Sequence, residues 1–254
     1  MRGPAIKTQP FFHPIREASP ASAAVGVAAA GAAGLNPVST SGERTPHENG
    51  TISNELPVVY LARHGETAWS LTGQHTGLTD LPLTERGEEN ARALGKRLTG
   101  QNFGKVFTSP LQRATRTCEL AEFGAVAEVD RDLVEWDYGQ YEGLRTDEIL
   151  AARPEWQLFR DGCPGGESPD QVGARADCVL TRVRAARAGV LLFSSGHFLR
   201  VLAACWMGLE PAAGRYFLLS TASMSTLGYE HDLSQPVIRM WNDAGHVRIW
   251  PDSV

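Results

Sequence analysis

Three apolar segments of the sequence each run into basic or polar residues that could carry out chemistry. An arginine side chain offers a rigid planar fork of N–H donors that matches the oxygens of a phosphate group. A neutral histidine nitrogen can attack phosphorus, provided that the other ring nitrogen is held by a hydrogen bond. The pattern therefore predicts an anion site at which a histidine receives a phosphoryl group. The candidate residues are Arg63 and His64 after the first segment, Arg113 after the second, and Ser195, Gly196 and His197 after the third.

A phosphoryl transfer also needs a proton for the oxygen that leaves. The usual donor is a carboxylic acid that its surroundings keep partly protonated. Glu135 ends a short apolar stretch and lies among aromatic residues, so we expect it to be this donor. Asp137 and Glu142 lie close to it in the sequence and stay open as alternatives.

Alternating strands and helices are expected to hold these residues. Strands are predicted at residues 57–62, 103–109, 190–194, 225–231 and 236–242. Helices are predicted at residues 84–99 with Thr84 as the cap, at a segment opened by Pro110, and at residues 171–188 and 198–207. Apolar strands separated by helices indicate a largely parallel sheet covered on both faces. We therefore predict an α/β fold, a three-layer α/β/α sandwich with a mostly parallel central sheet, and a ligand beyond the carboxyl ends of its strands.

The composition points to a globular chain without a strongly charged partner. Of the 254 residues, 42% are hydrophobic and 21% are charged, which suits one sizeable α/β core. The formal net charge of −5 argues against a nucleic-acid or membrane partner, so local arginines have to hold any anionic substrate. The four cysteines show no CxxC pairing, which argues against a disulfide framework or zinc site and favours a reducing, cytoplasmic compartment.

The first part of the chain differs in character from the rest. Residues 1–54 are rich in Ala, Ser, Gly, Pro and Thr, and we interpret them as a disordered leader before one domain at residues 55–254. Residues 21–35 form a weakly apolar run behind basic residues, so a signal or transit peptide is a second interpretation. The run consists mainly of Ala and Gly and is too weakly apolar to span a membrane.

Three motifs occur in the order expected for a known family. They are LARHGETAW at residues 61–69, TSPLQRATRT at residues 108–117 and LVEWDYGQYEG at residues 133–143. Together they resemble the histidine phosphatase superfamily, which includes cofactor-dependent phosphoglycerate mutases and many phosphomonoesterases. The resemblance spans residues 57–241 and implies a phosphoglycerate mutase-like fold with no metal and no bound cofactor.

The resemblance also implies a role for each matching residue. His64 is expected to be the nucleophile that becomes phosphohistidine. Arg63 and Arg113 are expected to bind the phosphate. Glu135 is expected to act first as proton donor and then as base.

The sequence departs from this family at the family's second histidine. That histidine is usually followed by Gly, with an Arg five residues after the histidine. Here the spacing from Arg200 puts Ser195 in the histidine's place and His197 two residues later. Either His197 reaches back to the phosphate from the first turn of a helix, or Ser195 donates a hydrogen bond there and His197 lies further out. Both alternatives keep Ser195, Gly196 and His197 in the site.

Further departures concern the substrate. Mutases of the family usually have an Asn after the first motif and a basic residue after the acidic Glu, where this chain has Ser70 and Trp136 with Asp137. Fewer cations at the far end of the substrate favour release of phosphate to water over its retransfer. Residues 73–84 and 196–200 are most similar to the branch that includes sugar-bisphosphate phosphatases related to sedoheptulose bisphosphatase.

Ser70, Thr76 and Gly77 are predicted to bind substrate. Thr76 and Gly77 follow the family's substrate-loop pattern, although a turn explains Gly77 equally well. His75 either contacts the substrate or is a loop residue.

The sequence therefore predicts a metal-independent phosphomonoester hydrolase that acts on small sugar phosphates through a phosphohistidine. The alternatives are mutase-type phosphotransfer and a catalytically silent phosphate-binding module. The expected partner is a small phosphorylated metabolite, without nucleic acid or membrane, and a homo-oligomer is left open.

Overall fold

The central sheet of the protein contains six strands. The computed structural model describes residues 56–247, so the predicted leader at residues 1–54 lies outside the described residues. The strands are β1 (Val59–Arg63), β2 (Lys105–Thr108), β3 (Ala127–Val129), β4 (Val190–Ser194), β5 (Met224–Tyr229) and β6 (Pro236–Asp243).

Four of these strands are parallel and lie side by side in the sheet. The spatial order is β3-β2-β4-β1-β5-β6, and the pairs β3–β2, β2–β4 and β4–β1 are parallel. Arg63 pairs with Ser194, so the residues that follow β1 and β4 emerge at the same edge of the sheet. The predicted mostly parallel sheet is confirmed.

The last two strands differ from the parallel pattern. β5 runs antiparallel to β1, and β6 runs antiparallel to β5. A short connection between β5 and β6 can join antiparallel neighbours, whereas parallel neighbours need a longer crossover. The three-residue β3 was not predicted, because it is short and two of its residues are exposed at the edge of the sheet.

Helices cover both faces of the sheet and complete the predicted three layers. Leu192 belongs to an apolar cluster with Val179 and Phe198, and Phe193 belongs to a second cluster with Leu94. Because neighbouring residues of a strand point to opposite faces, β4 contributes to both cores. The helices are α1 (Ala68–Thr72), α2 (Glu85–Leu98), α3 (Gln112–Leu120), α4 (Thr146–Ala152), α5 (Leu158–Asp161), α6 (Pro169–Ala185) and α7 (Gly196–Trp206).

Side-chain caps fix several helix starts. Thr84 caps α2 by accepting from the backbone N–H of Gly87, as predicted. Ser168 caps α6, which therefore begins before the predicted residue 171. Pro110 does not open α3, because Leu111 is in an extended conformation and the helix begins at Gln112. Arg113 nevertheless lies in the first turn of α3.

Candidate active site

A cavity of about 230 Å³ opens at the carboxyl ends of β1 and β4. This is the edge at which a parallel sheet is expected to bind a ligand. The cavity joins residues from six separate parts of the chain, including the segments that follow β1 and β4 and the segment that contains Glu135. Its lining comprises Arg63, His64, Ser70, Gly73, Gln74, His75, Thr76, Glu135, Tyr138, Thr146, Gly196, His197, Arg200 and Leu219.

His64 is buried directly after β1 and is fixed in one tautomer. Its Nδ1 lies 2.7 Å from the carbonyl oxygen of Gly65, which can only accept, so Nδ1 carries the proton and Nε2 keeps its lone pair. Burial holds the pKa of His64 well below its usual range, and the charges of Arg113 and Arg63 lower it further. The ring is therefore neutral and presents a nucleophilic nitrogen.

Arg63 lines the cavity beside His64. Its guanidinium donates to the carbonyl oxygen of Leu219 at 2.5 Å, while its enclosed Nε has no partner among the described residues. A Cβ on Gly196 would lie 3.1 Å from the guanidinium carbon, so Gly196 lets this group pack against the start of α7. Burial lowers the pKa of Arg63, and no carboxylate in the described residues forms a salt bridge with it.

Arg113 is fully buried and holds the loop formed by residues 76–79. Its terminal nitrogens donate to the carbonyl oxygens of Thr79 at 2.9 Å, Thr76 at 3.1 Å and Gly77 at 2.7 Å. Its enclosed Nε has no partner within residues 56–247. Arg113 therefore positions the rim of the cavity through this loop, although it is not itself among the residues that line the cavity.

Glu142 binds backbone N–H groups of the same loop. Its carboxylate accepts from the backbone N–H groups of Gly77 at 2.9 Å and Thr79 at 3.0 Å. A Cβ on Gly77 would lie 2.6 Å from the carbonyl oxygen of Trp136. Close packing, and not a turn, is thus the reason that this position requires glycine.

Glu135 is bound to the first turn of α7. Its Oε1 accepts from the backbone N–H groups of Trp136 at 2.9 Å and Phe198 at 2.7 Å, and its Oε2 accepts from that of His197 at 3.0 Å. Oε2 therefore has more remaining capacity for a proton or a ligand than Oε1. Neither Asp137 nor Glu142 lines the cavity, so among the described lining residues Glu135 is the acidic one.

Ser195 and His197 occupy different environments at the end of β4. Ser195 is fully buried at the cap position of α7, and its hydroxyl has no partner in the described part of the chain. His197 is the second residue of α7 and lines the cavity, with its Nδ1 2.5 Å from the hydroxyl of Tyr138. His197 is thus both a helix-start residue and a cavity residue.

The predicted substrate residues differ in whether they line the cavity and in the hydrogen bonds that their side chains already form. Ser70 and Thr76 line the cavity, whereas Gly77 does not. The Ser70 hydroxyl belongs to a capping box with Thr67 at the start of α1. The Thr76 hydroxyl donates to the carbonyl oxygen of Gln74 at 3.2 Å.

His75, whose role the sequence left open, lines the cavity together with Tyr138 and Arg200, to which the sequence assigned no role. Burial lowers the pKa of His75 to about 4, and Tyr138 is buried against it with 4.7 Å between ring centroids. Arg200 donates to the carbonyl oxygens of Gly214 and Arg215, each at 3.0 Å, and has no carboxylate partner among the described residues. Arg200 follows His197 by one helical turn, so the i to i+3 spacing was the signal that could have placed it on the same face.

Comparison with known proteins agrees with this geometry. Residues 59–244 match the model of the histidine phosphatase superfamily (branch 1). An acid phosphatase of Mycobacterium tuberculosis is 42% identical over 181 residues, which cover 70% of this chain and 89% of that protein. Sedoheptulose 1,7-bisphosphatase of Saccharomyces cerevisiae is 37% identical over 187 residues, covering 60% of this chain and 68% of that protein.

A solved structure gives the same result for the fold. The product of a Mycobacterium tuberculosis open reading frame superposes with a TM-score of 0.70 at 38% identity, covering 73% of this chain and 97% of that structure. The chain belongs to the histidine phosphatase superfamily. It is a phosphatase of that superfamily, with the predicted α/β fold.

The described residues contain neither a metal-binding cluster nor a membrane-spanning helix. No group of three or more His, Cys, Asp or Glu side chains within residues 56–247 is arranged to hold a metal ion. In the same residues, no helix has the length and apolar character needed to cross a bilayer.

Proposed function

We propose that this phosphatase hydrolyses phosphomonoesters of small sugars in two steps. In the first step, Nε2 of His64 attacks phosphorus, the bond from phosphorus to the ester oxygen breaks, and Glu135 gives its proton to the departing alkoxide. In the second step, Glu135 takes a proton from water as the water oxygen attacks phosphorus. The P–N bond then breaks, its electron pair returns to Nε2, and inorganic phosphate is released.

The observation that carries this proposal is the state of His64. The ring is neutral, its proton is committed to the carbonyl oxygen of Gly65, and its other nitrogen is free. A histidine in this state can form a bond to phosphorus without first losing a proton. Arg63 and Arg113 lie close enough to lower its pKa and would offset negative charge on the phosphoryl group.

Three groups are proposed to complete the phosphoryl site. The Nε–H groups of Arg63 and Arg113 and the hydroxyl of Ser195 are buried and have no partner among the described residues. A buried donor without a partner is costly, so these atoms are suited to bind phosphate oxygens. This supports the interpretation in which Ser195 donates to the phosphate and His197 lies further out.

The rest of the cavity supports a small polyhydroxylated leaving group. Gln74, Thr76 and Thr146 line it with amide and hydroxyl groups that suit sugar hydroxyls. Arg200 adds a cation to the cavity lining, so the sugar can carry a second anionic group. The similarity to sedoheptulose 1,7-bisphosphatase supports the same substrate class.

The cellular compartment of the reaction and the role of the first residues are also part of the proposal. We propose that the substrate is a small phosphorylated metabolite of the cytoplasm, on the basis of the net charge of −5 and the scattered cysteines. Residues 1–54 are proposed to act as a leader outside the catalytic domain. Ser70 and Gly77 are proposed to belong to the substrate-binding part of the site.

Phosphate release tests the proposal directly. Wild type, His64→Ala and the exposed-histidine control His231→Ala would be assayed with chelator present on sugar mono- and bisphosphates and 3-phosphoglycerate. We expect wild type and His231→Ala to release phosphate and His64→Ala to lose release by more than about 1000-fold. Quenching with alkaline detergent after mixing with radiolabelled substrate should trap phosphate on wild type, stable in base and released by acid, and none on His64→Ala.

Two results would contradict the proposal. Retained turnover by purified His64→Ala would remove the nucleophile. Conversion of 3-phosphoglycerate without phosphate release would assign the chain to mutase-type phosphotransfer.

A further inference from the structure

Tyr138 and His197 form a hydrogen bond at the wall of the cavity, although they are far apart in the sequence. The hydroxyl of Tyr138 lies 2.5 Å from Nδ1 of His197. Tyr138 is only 1% exposed, and it is one of the residues that line the cavity. Neither residue is explained by the two-step reaction, which uses His64 and Glu135.

The direction of this hydrogen bond follows from the partners that are present. The Tyr138 hydroxyl has no other hydrogen-bond partner among the described residues. If Nδ1 of His197 donated, the hydroxyl proton of Tyr138 would have no acceptor among the described residues, which is unfavourable for a buried donor. If Tyr138 donates to Nδ1, both groups are satisfied. The hydroxyl of Tyr138 is therefore the donor.

Burial and the charges around His197 keep its ring neutral, so that it carries one proton. Burial holds the pKa of His197 well below its usual range, and the positive charge of Arg200 lowers it further, followed by His75 and Arg63. The Glu135 carboxylate accepts from the backbone N–H of His197 and not from its ring. With Nδ1 accepting, the single ring proton lies on Nε2.

Packing fixes Tyr138 in the position from which it donates. Its ring packs against that of His75, and a Cβ on Gly77 would lie 2.9 Å from the edge of the Tyr138 ring. Burial raises the pKa of Tyr138 well above its usual value, and the charge of Glu135 raises it further, so the phenol keeps its proton. Tyr138 is thus a rigid donor that remains protonated.

We infer that Tyr138 is a positioning residue that holds His197 as the Nε2–H tautomer, so that His197 offers the substrate a neutral hydrogen-bond donor. Nε2 has no hydrogen-bond partner in the described residues, and His197 lines the cavity. The group that it recognises is an oxygen acceptor, such as a sugar hydroxyl or the ester oxygen, and not an N–H donor. This inference rests on the proposed function for the identity of the substrate, whereas the tautomer itself does not.

Nuclear magnetic resonance of the resting enzyme tests the tautomer without any need for activity. The long-range proton–nitrogen correlations of isotopically labelled histidine distinguish a protonated ring nitrogen from one that accepts. Comparison with His197→Gln assigns the signal of His197. We expect wild type to show a protonated Nε2 and an accepting Nδ1, and Tyr138→Phe to show a mixture of the two neutral tautomers. A protonated Nδ1 in wild type would overturn the inference.

Kinetics with a matched control test the consequence for the substrate. Tyr141→Phe removes the hydroxyl of a neighbouring tyrosine that accepts from Arg153 at 3.1 Å and does not line the cavity. We expect Tyr138→Phe to lower kcat/KM by about tenfold, and Tyr141→Phe to leave both kcat/KM and the His197 signal unchanged. An unchanged kcat/KM in Tyr138→Phe would show that the Nε2–H donor is not used. If wild type formed no phosphohistidine, the proposed function would be contradicted, whereas the magnetic resonance result on the tautomer would be unaffected.

Discussion

The carboxylate of Glu135 accepts a hydrogen bond from the backbone N–H of His197 at 3.0 Å. This contact ties the proposed proton donor to the first turn of α7, which follows the buried strand β4. The same oxygen, Oε2, keeps capacity for a further partner, whereas Oε1 already accepts from Trp136 and Phe198. The position of the acid is thus set by backbone groups of α7.

Glu135→Gln should test the proton donor with little change in shape. The amide cannot give a proton to the alkoxide, so we expect kcat to fall by about 100-fold or more for a sugar phosphate. For p-nitrophenyl phosphate, which has a good leaving group, the rate of the first step should fall less, because the departing phenolate needs no proton. Rapid-quench measurement of phosphohistidine formation separates the two steps. Asp137→Asn is the control, and an equal loss in both variants would argue against Glu135.

Glu142→Ala should loosen the loop of residues 76–79. The loop amides of Gly77 and Thr79 lose their acceptor, while Arg113 still binds the carbonyl side. We expect the free energy of unfolding to fall by about 1–3 kcal/mol and KM to rise more than kcat falls. Urea unfolding and steady-state kinetics would measure this. A fall in kcat alone would instead make Glu142 a rival for the acid role.

Gly77→Ala should show whether close packing explains the glycine. The added Cβ would lie 2.6 Å from the backbone oxygen of Trp136, which has little freedom to move. We expect a loss of about 1–3 kcal/mol in unfolding free energy, measured by denaturant titration. Gly208→Ala serves as a control for backbone strain alone, since its φ is +70° and nothing lies within 4 Å of the added Cβ. A smaller effect at Gly77 than at Gly208 would refute the packing argument.

His75 should contribute to a loss of stability in mild acid. Its pKa is lowered from 6.5 to about 4 by burial, so below pH 6.5 the unfolded chain binds a proton that the folded chain resists. Stability due to His75 is therefore full above pH 6.5 and decreases as the pH falls toward 4, by up to about 1.4 kcal/mol per pH unit. Urea unfolding between these pH values should show a shallower decline for His75→Gln. An identical slope in wild type and variant would contradict this prediction.

The sequence predicted the elements that hold the site better than it predicted the contacts within it. The apolar run of β4 and the capping residue Thr84 are local signals, and the structure confirms them. Strand direction is not encoded in apolar periodicity, so the antiparallel pairing of β5 and β6 was not predicted. β3 gave too weak a signal because it has only three residues.

Within the site, the residues that were missed depend on tertiary contacts. Tyr138 acts on a histidine that is 59 positions away in the sequence, so no local pattern joins them. Arg200 could have been found, because it lies one turn after His197 on a predicted helix. The different environments of Ser195 and His197 could not be predicted from the sequence. The structure shows that Ser195 is buried at the cap position of α7, whereas His197 lines the cavity.

Arg113 binds three carbonyl oxygens of the cavity rim with the same guanidinium that is proposed to bind the phosphoryl group. The rim and the phosphate are thus two ligands of one cation, and their binding is thermodynamically coupled. By reciprocity, a phosphate that tightens the rim is itself bound more tightly when the rim is ordered. Product inhibition by inorganic phosphate and protection of residues 76–79 from hydrogen exchange are therefore expected to change together across variants of this loop.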